Sequence, residues 1–264
     1  MLLCDRTSLL FIMSERDLIR LSQSHLNLLS VCPPKFQQIY LDGLGSLLDP
    51  DLQDNMQWGS RFHLLMQQRE LALPIESLLS TDSELDSSFK ALVQTAPELR
   101  SDPNIWREAE HCRTLSIDDF LFTVIYDLLI AEADKATILD WKTYRQPPKR
   151  KNLENNWQTR LYFYVLAETS EYQPEQIQMT YWFVKSGKPS SITLNYDRQQ
   201  HLCTQQEIAV LLADLKTWLQ NYREFQLDFP HSANCHNCRF YQDFFSNPAD
   251  ETLQSIDEIE EIPI

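Results

Sequence analysis

The chain has 264 residues and carries 23 basic and 38 acidic side chains, which gives a formal net charge of −15. That length can bury a full hydrophobic core, whereas no apolar run approaches the roughly 20 residues that a membrane span needs. The six cysteines are too sparse for a disulfide scaffold, and the acidic balance argues against binding nucleic acid through net charge alone. We therefore expect a globular, cytoplasmic protein with reduced thiols and no membrane partner.

The N-terminal part predicts two helical segments on either side of a proline. Hydroxyl side chains around Ser22 can cap a helix. That helix should stop before Pro33 and resume after it. A further helix is predicted over residues 58–70.

A predicted strand over residues 106–113 carries Glu108 and Glu110 and leads into two longer apolar strands. These two strands fill residues 119–142 and are joined by a polar turn at residues 132–135. Because the connection is so short, the two strands are predicted to be antiparallel.

Charged side chains occupy neighbouring positions of this apolar pair. Asp127 lies within the first strand, and Asp140 and Lys142 end the second. Asp140 and Lys142 are two residues apart, so they share one strand face and can form an ordinary ion pair. Paired carboxylates also suit Mg²⁺ or Mn²⁺, with the lysine orienting an attacking water. The strand pair alone leaves both interpretations open.

A basic segment and a helix come next. Between residues 142 and 151 there are five basic side chains and no acidic one. They are Lys142, Arg145, Lys149, Arg150 and Lys151. A run of this kind is usually a solvated loop, yet here it leads from the carboxylate strand to the helix, so it would lie beside any bound phosphate. On that helix, Gln158 and Tyr162 lie one turn apart on one face.

The C-terminal part predicts strands at residues 176–185 and 191–195. An amphipathic helix over residues 204–222 should cover one face of the sheet. Cys235 and Cys238 then form a C-x-x-C pair, which is a moderate signal for a metal site.

The two ends of the chain differ in composition from the rest. Residues 249–264 carry six acidic side chains and no basic one, and are predicted to be a solvated tail. Met13 reads as a natural start, so residues 1–12 are interpreted as an extension. We expect one domain over residues 1–248, with the acidic tail behind it.

These motifs together resemble the PD-(D/E)XK nuclease superfamily, specifically its RecB-type and Cas4-like branch. Asp127 matches the first acidic position, Asp140-Trp141-Lys142 the (D/E)-x-K element, and Gln158 with Tyr162 the Q-x-x-x-Y motif. The resemblance implies an α/β fold in which a mixed central β-sheet is flanked by helices, with a restriction-endonuclease-like core.

The resemblance extends to the N-terminal helices and shows one departure. Residues 24–36 match the family pattern S-x-L-x-x-x-x-x-C-P-x-x-F. Many relatives carry glycine three residues before the first aspartate, where this chain has Val124. That glycine shapes the backbone and provides no ligand, so the departure matters little for the chemistry.

The resemblance also implies a set of site residues. His63 belongs to the G-x-x-x-H motif that begins at Gly59, and it would bind Mg²⁺ or Mn²⁺ together with Asp127 and Asp140. In some relatives an upstream acidic residue joins the site, but the spacing does not choose between the two glutamates of the preceding strand. The implied catalytic residues are Asp127, Asp140, Lys142, Gln158 and Tyr162. The implied substrate-binding residues are Trp141, which could stack on a base, and the basic side chains Arg145, Lys149, Arg150 and Lys151.

Relatives of this branch also use four cysteines to bind a [4Fe-4S] cluster that joins the two ends of the domain. Cys32, Cys235 and Cys238 match three of these positions, and Phe244 stands at the fourth. A cluster with another fourth ligand, a zinc site that uses a nearby histidine, and a vestigial site of packed thiols all remain open. We favour the vestigial site, and we expect the three cysteines to converge in space.

The implied function is metal-dependent hydrolysis of DNA in repair, recombination or defence, with a helicase or another protein as partner. The alternative is a catalytically weak or inactive module that binds nucleic acid or serves as a scaffold in a larger complex. The net charge of −15 and the missing fourth cysteine favour dependence on a partner, whereas the complete set of acidic, lysine and glutamine residues favours an enzyme.

Overall fold

The computed structural model describes residues 18–44, 50–100, 102, 104–144, 147–185 and 188–232, and for residues 50–55 it describes the backbone alone. The strands in this part of the chain are β1 (Ile19–Leu21), β2 (Trp106–Ile117), β3 (Phe120–Ala131), β4 (Ala136–Lys142), β5 (Ile177–Phe183) and β6 (Ser190–Asn195). The α-helices are α1 (Gln23–Val31), α2 (Pro33–Phe36), α3 (Pro50–Glu70), α4 (Glu76–Ser80), α5 (Ser83–Thr95), α6 (Arg150–Asn155), α7 (Trp157–Glu168) and α8 (Arg198–Phe225). A π-helical turn, Gln37–Leu41, follows α2.

The described strands form one mixed sheet. Its order is β1-β3-β4-β5-β6, and β2 pairs with β3. β1 is parallel to β3 and β4 is parallel to β5, whereas the other pairs are antiparallel. The antiparallel pair predicted around the turn at residues 132–135 is confirmed as β3 and β4.

Helices cover both faces of the sheet, and each face has its own hydrophobic core. The first core lies against α1, α7 and α8 and includes Leu161 and Ile208. The second core lies against α3 and α5 and includes Phe62 and Leu92. This arrangement confirms the predicted class, a mixed central sheet flanked by helices. Among the described helices, none combines the length and the apolar character needed to cross a membrane.

The alternation of β3 between the two cores is interrupted at Asp127. Tyr126 contacts the first core and Leu128 the second, although a regular strand would place both on one face. β2 changes face at the same level, where Ala109 packs against the second core. Its neighbour Glu110 has a φ of 52°, in the left-handed region that non-glycine residues rarely adopt. The sheet is therefore irregular where two acidic residues meet.

Two predicted helix starts and one predicted loop are wrong. α3 begins at Pro50 and not at Trp58, because proline suits the first turn of a helix. α8 begins earlier than predicted, since Asp197 caps it by accepting the Gln200 N–H at 2.7 Å and the first turns are polar. The predicted basic loop contains the short helix α6, which is anchored by the buried Leu153.

The segment that follows α8 folds back onto the N-terminal helices. The side-chain amide of Gln37 donates to Asp228 at 2.8 Å, and its oxygen accepts the Phe229 N–H at 2.7 Å. The ring of Phe229 is stacked on that of Phe36, with 6.2 Å between their centroids. Gln37 is itself buried, so both ends of its amide are used to hold the two segments together.

This contact reaches the region of the predicted cysteine cluster. The Ser232 hydroxyl donates to the carbonyl of Val31 at 2.6 Å, next to the buried Cys32. Cys235 and Cys238 lie outside the described residues, so the convergence of the three thiols stays a prediction.

Candidate active site

Three acidic residues lie at one level of the adjacent strands β2, β3 and β4. The register of β2 and β3 places Glu110 opposite Asp127. The register of β3 and β4, continued by one residue, places Asp140 beside Asp127 on the other side. The two predicted carboxylates therefore come together, and Glu110 is a third.

Asp140, Lys142 and Gln158 form a closed network on the α7 side of this level. The Lys142 ammonium lies 3.2 Å from Asp140 Oδ1 and donates to Gln158 Oε1 at 2.7 Å. Gln158 Nε2 donates to Asp140 Oδ2 at 2.9 Å. All three residues are buried, with relative exposures of 2% to 6%. Because buried charges are costly unless they are paired and hydrogen-bonded, this network fixes the ammonium group in one position and confirms the predicted ion pair.

The start of α7 positions Gln158 and Tyr162. Asn156 caps the helix, and its side chain accepts the Gln158 N–H at 2.7 Å. One turn later, the carbonyl of Tyr162 accepts the Tyr126 hydroxyl at 3.0 Å. Burial raises the pKa of Tyr162 well above its ordinary value, and the negative charge of Asp140 adds to that effect. The phenol therefore stays neutral and cannot serve as a base near neutral pH.

A second group forms on the α3 side. His63, Glu110 and Asp127 each offer a ligand atom, and these atoms all lie within 4.8 Å of one another. His63 Nδ1 lies 3.2 Å from Asp127 Oδ1, and its Nε2 lies 3.0 Å from the carbonyl oxygen of Trp141. The Trp141 N–H donates to Asp127 Oδ2 at 2.6 Å. His63 therefore joins the carboxylates as predicted, and the carbonyl of Trp141 lies beside them.

The chemistry of these donors fits a divalent cation. One imidazole, two carboxylates and a carbonyl form a mostly oxygen donor set of the kind that Mg²⁺ and Mn²⁺ prefer. Both ring nitrogens of His63 face oxygen atoms, but a neutral imidazole can donate to only one of them. Both contacts are favourable together only if the ring takes up a second proton or a bound cation replaces one of them.

Glu110 is the site residue that the sequence did not single out. The pKa of Glu110 is raised to about 7, first by burial and then by the negative charges of Asp127 and Asp140, against the opposing effect of His63. Glu108 instead pairs with a histidine of its own strand at 2.7 Å. The signal that could have separated the two is the register, because counting back from the short turn between β2 and β3 places Glu110 opposite Asp127.

The predicted substrate-binding residues divide into three groups. Lys149, Arg150 and Lys151 are exposed around the start of α6. Arg145 lies outside the described residues. Trp141 is only 1% exposed, so the prediction that its ring stacks on a base is wrong: its side chain belongs to the second core, and its backbone faces the site.

Comparisons with known proteins bear on the fold and the family of this chain. No curated protein sequence matches the chain. Among solved structures, a presumed exonuclease from Eubacterium rectale aligns with a TM-score of 0.52 and 8% identity, over 87% of this chain and 90% of that chain. The protein SSO0001 aligns with a TM-score of 0.35 and 11% identity, over 76% and 78% of the two chains. The first likeness shows a shared fold, and the second is too low to carry an argument.

The family model of the PD-(D/E)XK nuclease superfamily matches residues 20–242. That span includes β2 to β6, all but the first residue of β1, and every residue of the two groups around the carboxylates. It agrees with the mixed sheet and its flanking helices, which correspond to a restriction-endonuclease-like core. The chain therefore belongs to the PD-(D/E)XK nuclease superfamily.

Proposed function

We propose that this protein is a metal-dependent deoxyribonuclease of the RecB-type and Cas4-like branch, which hydrolyses phosphodiester bonds of DNA. The observation that carries the proposal is the position of His63, Glu110 and Asp127 within 4.8 Å of one another, next to a lysine held by Asp140 and Gln158. A structural ion pair would need only Asp140 and Lys142, whereas the neighbouring His63, Glu110 and Asp127 form a donor set that suits a divalent cation.

In this proposal His63, Glu110, Asp127 and the Trp141 carbonyl would hold Mg²⁺ or Mn²⁺. The bound ion would supply positive charge to the scissile phosphate and its attacking water. Asp140, which the sequence also suggests as a ligand, borders this group, and its charge adds to the field there, as the raised pKa of Glu110 shows. The carboxylates by themselves would repel a phosphodiester, so the ion is needed for the substrate to approach.

Lys142 would orient the water, since its ammonium is fixed by Asp140 at 3.2 Å and by Gln158 at 2.7 Å. Gln158 would keep that lysine in place. Tyr162 would help to orient its neighbours but would not take up a proton, because burial keeps its hydroxyl protonated. The basic side chains of Lys149, Arg150 and Lys151 are exposed around the start of α6, which precedes Gln158 in the chain, and would contact backbone phosphates.

The test is a cleavage assay with labelled single-stranded DNA, double-stranded DNA and RNA of one sequence, in Mn²⁺, in Mg²⁺ and in EDTA. We expect DNA to be cut with either metal and to stay intact in EDTA. Asp127→Asn should reduce the rate by about 100-fold or more, since the ligand set supplies several kcal/mol of charge stabilisation. Asp119→Asn, at the exposed turn between β2 and β3, is the matched control and should retain activity.

Several results would contradict the proposal. DNA cleavage that persists in EDTA would show that no metal is required. Preferential cleavage of RNA would show that RNA, and not DNA, is the substrate. Full activity of Asp127→Asn would show that the active site lies elsewhere.

A further inference from the structure

A lysine and a tryptophan form a cation–π pair near the carboxylates, outside the group of residues assigned above. The Lys185 ammonium lies 4.7 Å from the centre of the Trp58 ring. Trp58 is 8% exposed and is stacked on Phe62, with 5.5 Å between ring centroids. An aromatic ring attracts an ammonium group through the negative face of its π-system, so this contact holds Lys185 in a defined position.

The strand register places this pair at the same end of the sheet as the site. Lys142 pairs with Phe183 between the parallel strands β4 and β5. The next N–H, that of Val184, donates to the Lys142 carbonyl at 3.0 Å. Lys185 therefore leaves the sheet directly beside the end of β4.

Trp58 connects the pair to the α3 side of the site. It lies five residues before His63 on α3, which corresponds to about 7–8 Å along the helix axis. Its ring belongs to the same core as Trp141. Lys185 thus lies on the sheet face covered by α3, whereas Gln158 and the helices α6 and α7 lie on the opposite face.

A nucleic acid strand needs positive charge on its path, because the site has three carboxylates and the whole chain has a net charge of −15. On the α7 face, the exposed cations Lys149 and Lys151 offer that charge, together with Arg150, which also pairs with Glu154. We propose that Lys185, held by the ring of Trp58, contacts a backbone phosphate of the bound strand on the α3 face. The strand then crosses the ends of β4 and β5 between two cationic contacts. This inference rests on the proposed function, since it takes nucleic acid as the substrate.

The test measures how binding depends on salt. A labelled single-stranded oligonucleotide is titrated with protein in Ca²⁺ at a series of KCl concentrations, and anisotropy gives the affinity. Loss of one phosphate contact lowers the slope of log affinity against log salt by about 0.7 for a single strand. We expect this change for Lys185→Gln, with a severalfold rise in KM and little change in kcat. Lys185→Arg should keep the slope of the parent protein.

The matched control is Lys90→Gln, which removes one positive charge from the exposed surface of α5. Its slope should equal that of the parent protein. If Lys185 served only to stabilise the fold through Trp58, the melting temperature of Lys185→Gln would fall and the salt slope would not change. An unchanged slope for Lys185→Gln therefore overturns the inference, whatever happens to the melting temperature.

The two proposals fail in different ways. If the parent protein cuts DNA and the slope of Lys185→Gln is unchanged, the proposed function stands and the contact at Lys185 is wrong. If the slope changes but no nucleic acid is cut, the contact stands and the nuclease activity is wrong. If the parent protein does not bind the oligonucleotide, both are wrong.

Discussion

Asp140 and Lys142 form a buried ion pair whose side chains are 3% and 8% exposed. Removing one partner leaves the other charge buried alone, which usually costs about 3–5 kcal/mol. We expect Lys142→Met and Asp140→Asn each to lower the free energy of unfolding by about 3 kcal/mol. The double variant should lose less than the sum, because the two residues interact. Urea unfolding of the four proteins in EDTA measures this coupling.

The exposed pair of Arg150 and Glu154 provides a matched control, since its side chains are 55% and 37% exposed. Arg150→Met should change the free energy of unfolding by less than about 1 kcal/mol, as is usual for surface ion pairs. Strictly additive effects at Asp140 and Lys142 would mean that the two charges do not stabilise each other.

Glu110 is expected to contribute directly to metal affinity. Glu110→Gln removes one of the two carboxylates in the group that also contains His63 and Asp127. We expect the Mn²⁺ dissociation constant to rise roughly tenfold, equivalent to about 1.4 kcal/mol. Glu108→Gln is the matched control, because it changes the same side chain on the same strand, and it should bind Mn²⁺ like the parent protein. Calorimetric titration compares the three proteins, and equal affinities would show that Glu110 is not a ligand.

Residue spacing was enough to pair Asp140 with Lys142, because a strand has a fixed period, and the family resemblance added Gln158 to them. Spacing left Glu108 and Glu110 within β2 unresolved, because only the register of β2 against β3 separates the two. It also gave Trp141 a role in base stacking, since position next to an active-site aspartate says nothing about which way a ring packs. The residues that follow the period were predicted, and those that depart from it were not.

At the level of single elements, α1 has a cap that depends on pH. The Ser22 N–H donates to His25 Nδ1 at 3.0 Å, and burial lowers the pKa of His25 from 6.5 to about 4. As the pH falls, the unfolded chain therefore takes up this proton first. The stabilisation is complete above pH 6.5 and is lost as the pH falls toward about 4.

Replacing His25 by glutamine should remove this dependence. Gln at the same position can still accept the N-cap N–H, as in a capping box, but it does not titrate. We expect the free energy of unfolding of His25→Gln to fall less steeply than that of the parent protein between pH 6.5 and about 4. Urea unfolding at a series of pH values measures both curves. Parallel curves would mean that His25 is not responsible.

The strands and helices differ in how well the sequence predicts their ends. The turn between β3 and β4 was predicted because polar residues separate two apolar runs. The starts of α3 and α8 were placed too late because their first turns are polar and carry no apolar period. In both helices the local signal at the N-terminus, a proline or an aspartate cap, marks the start better than hydrophobic spacing does.

For the whole molecule, metal binding and folding should be linked. A cation that binds the folded chain alone stabilises it by about 2.7 kcal/mol at 100 times its dissociation constant. For a domain of this size that corresponds to a rise in melting temperature of about 5–10 °C. We expect this rise with Mn²⁺ in the parent protein and its loss in Asp127→Asn. Thermal unfolding with and without Mn²⁺ tests it, and an equal rise in both proteins would place the binding site elsewhere.

The contact between the first helices and the segment after α8 is a property of the whole fold that sequence patterns reveal poorly. Gln37 and Asp228 are 191 positions apart and meet through one buried amide. No local period predicts such a pair, and only the cysteine pattern suggested that these regions meet. The hydrogen bond from Ser232 to Val31 supports that suggestion as far as the described residues extend.

The left-handed backbone of Glu110 has a consequence for how this protein can change. The left-handed conformation costs a non-glycine residue about 1–2 kcal/mol of conformational free energy, and Glu110 also lies beside other negative charges. Glu110→Gly should therefore make the protein more stable while removing the proposed ligand. A library selected for thermal resistance alone would accumulate glycine or asparagine at this position, whereas one selected for cleavage would keep the glutamate. The two selections should therefore have opposite outcomes, as expected for a residue that is retained for its chemistry although it destabilises the fold.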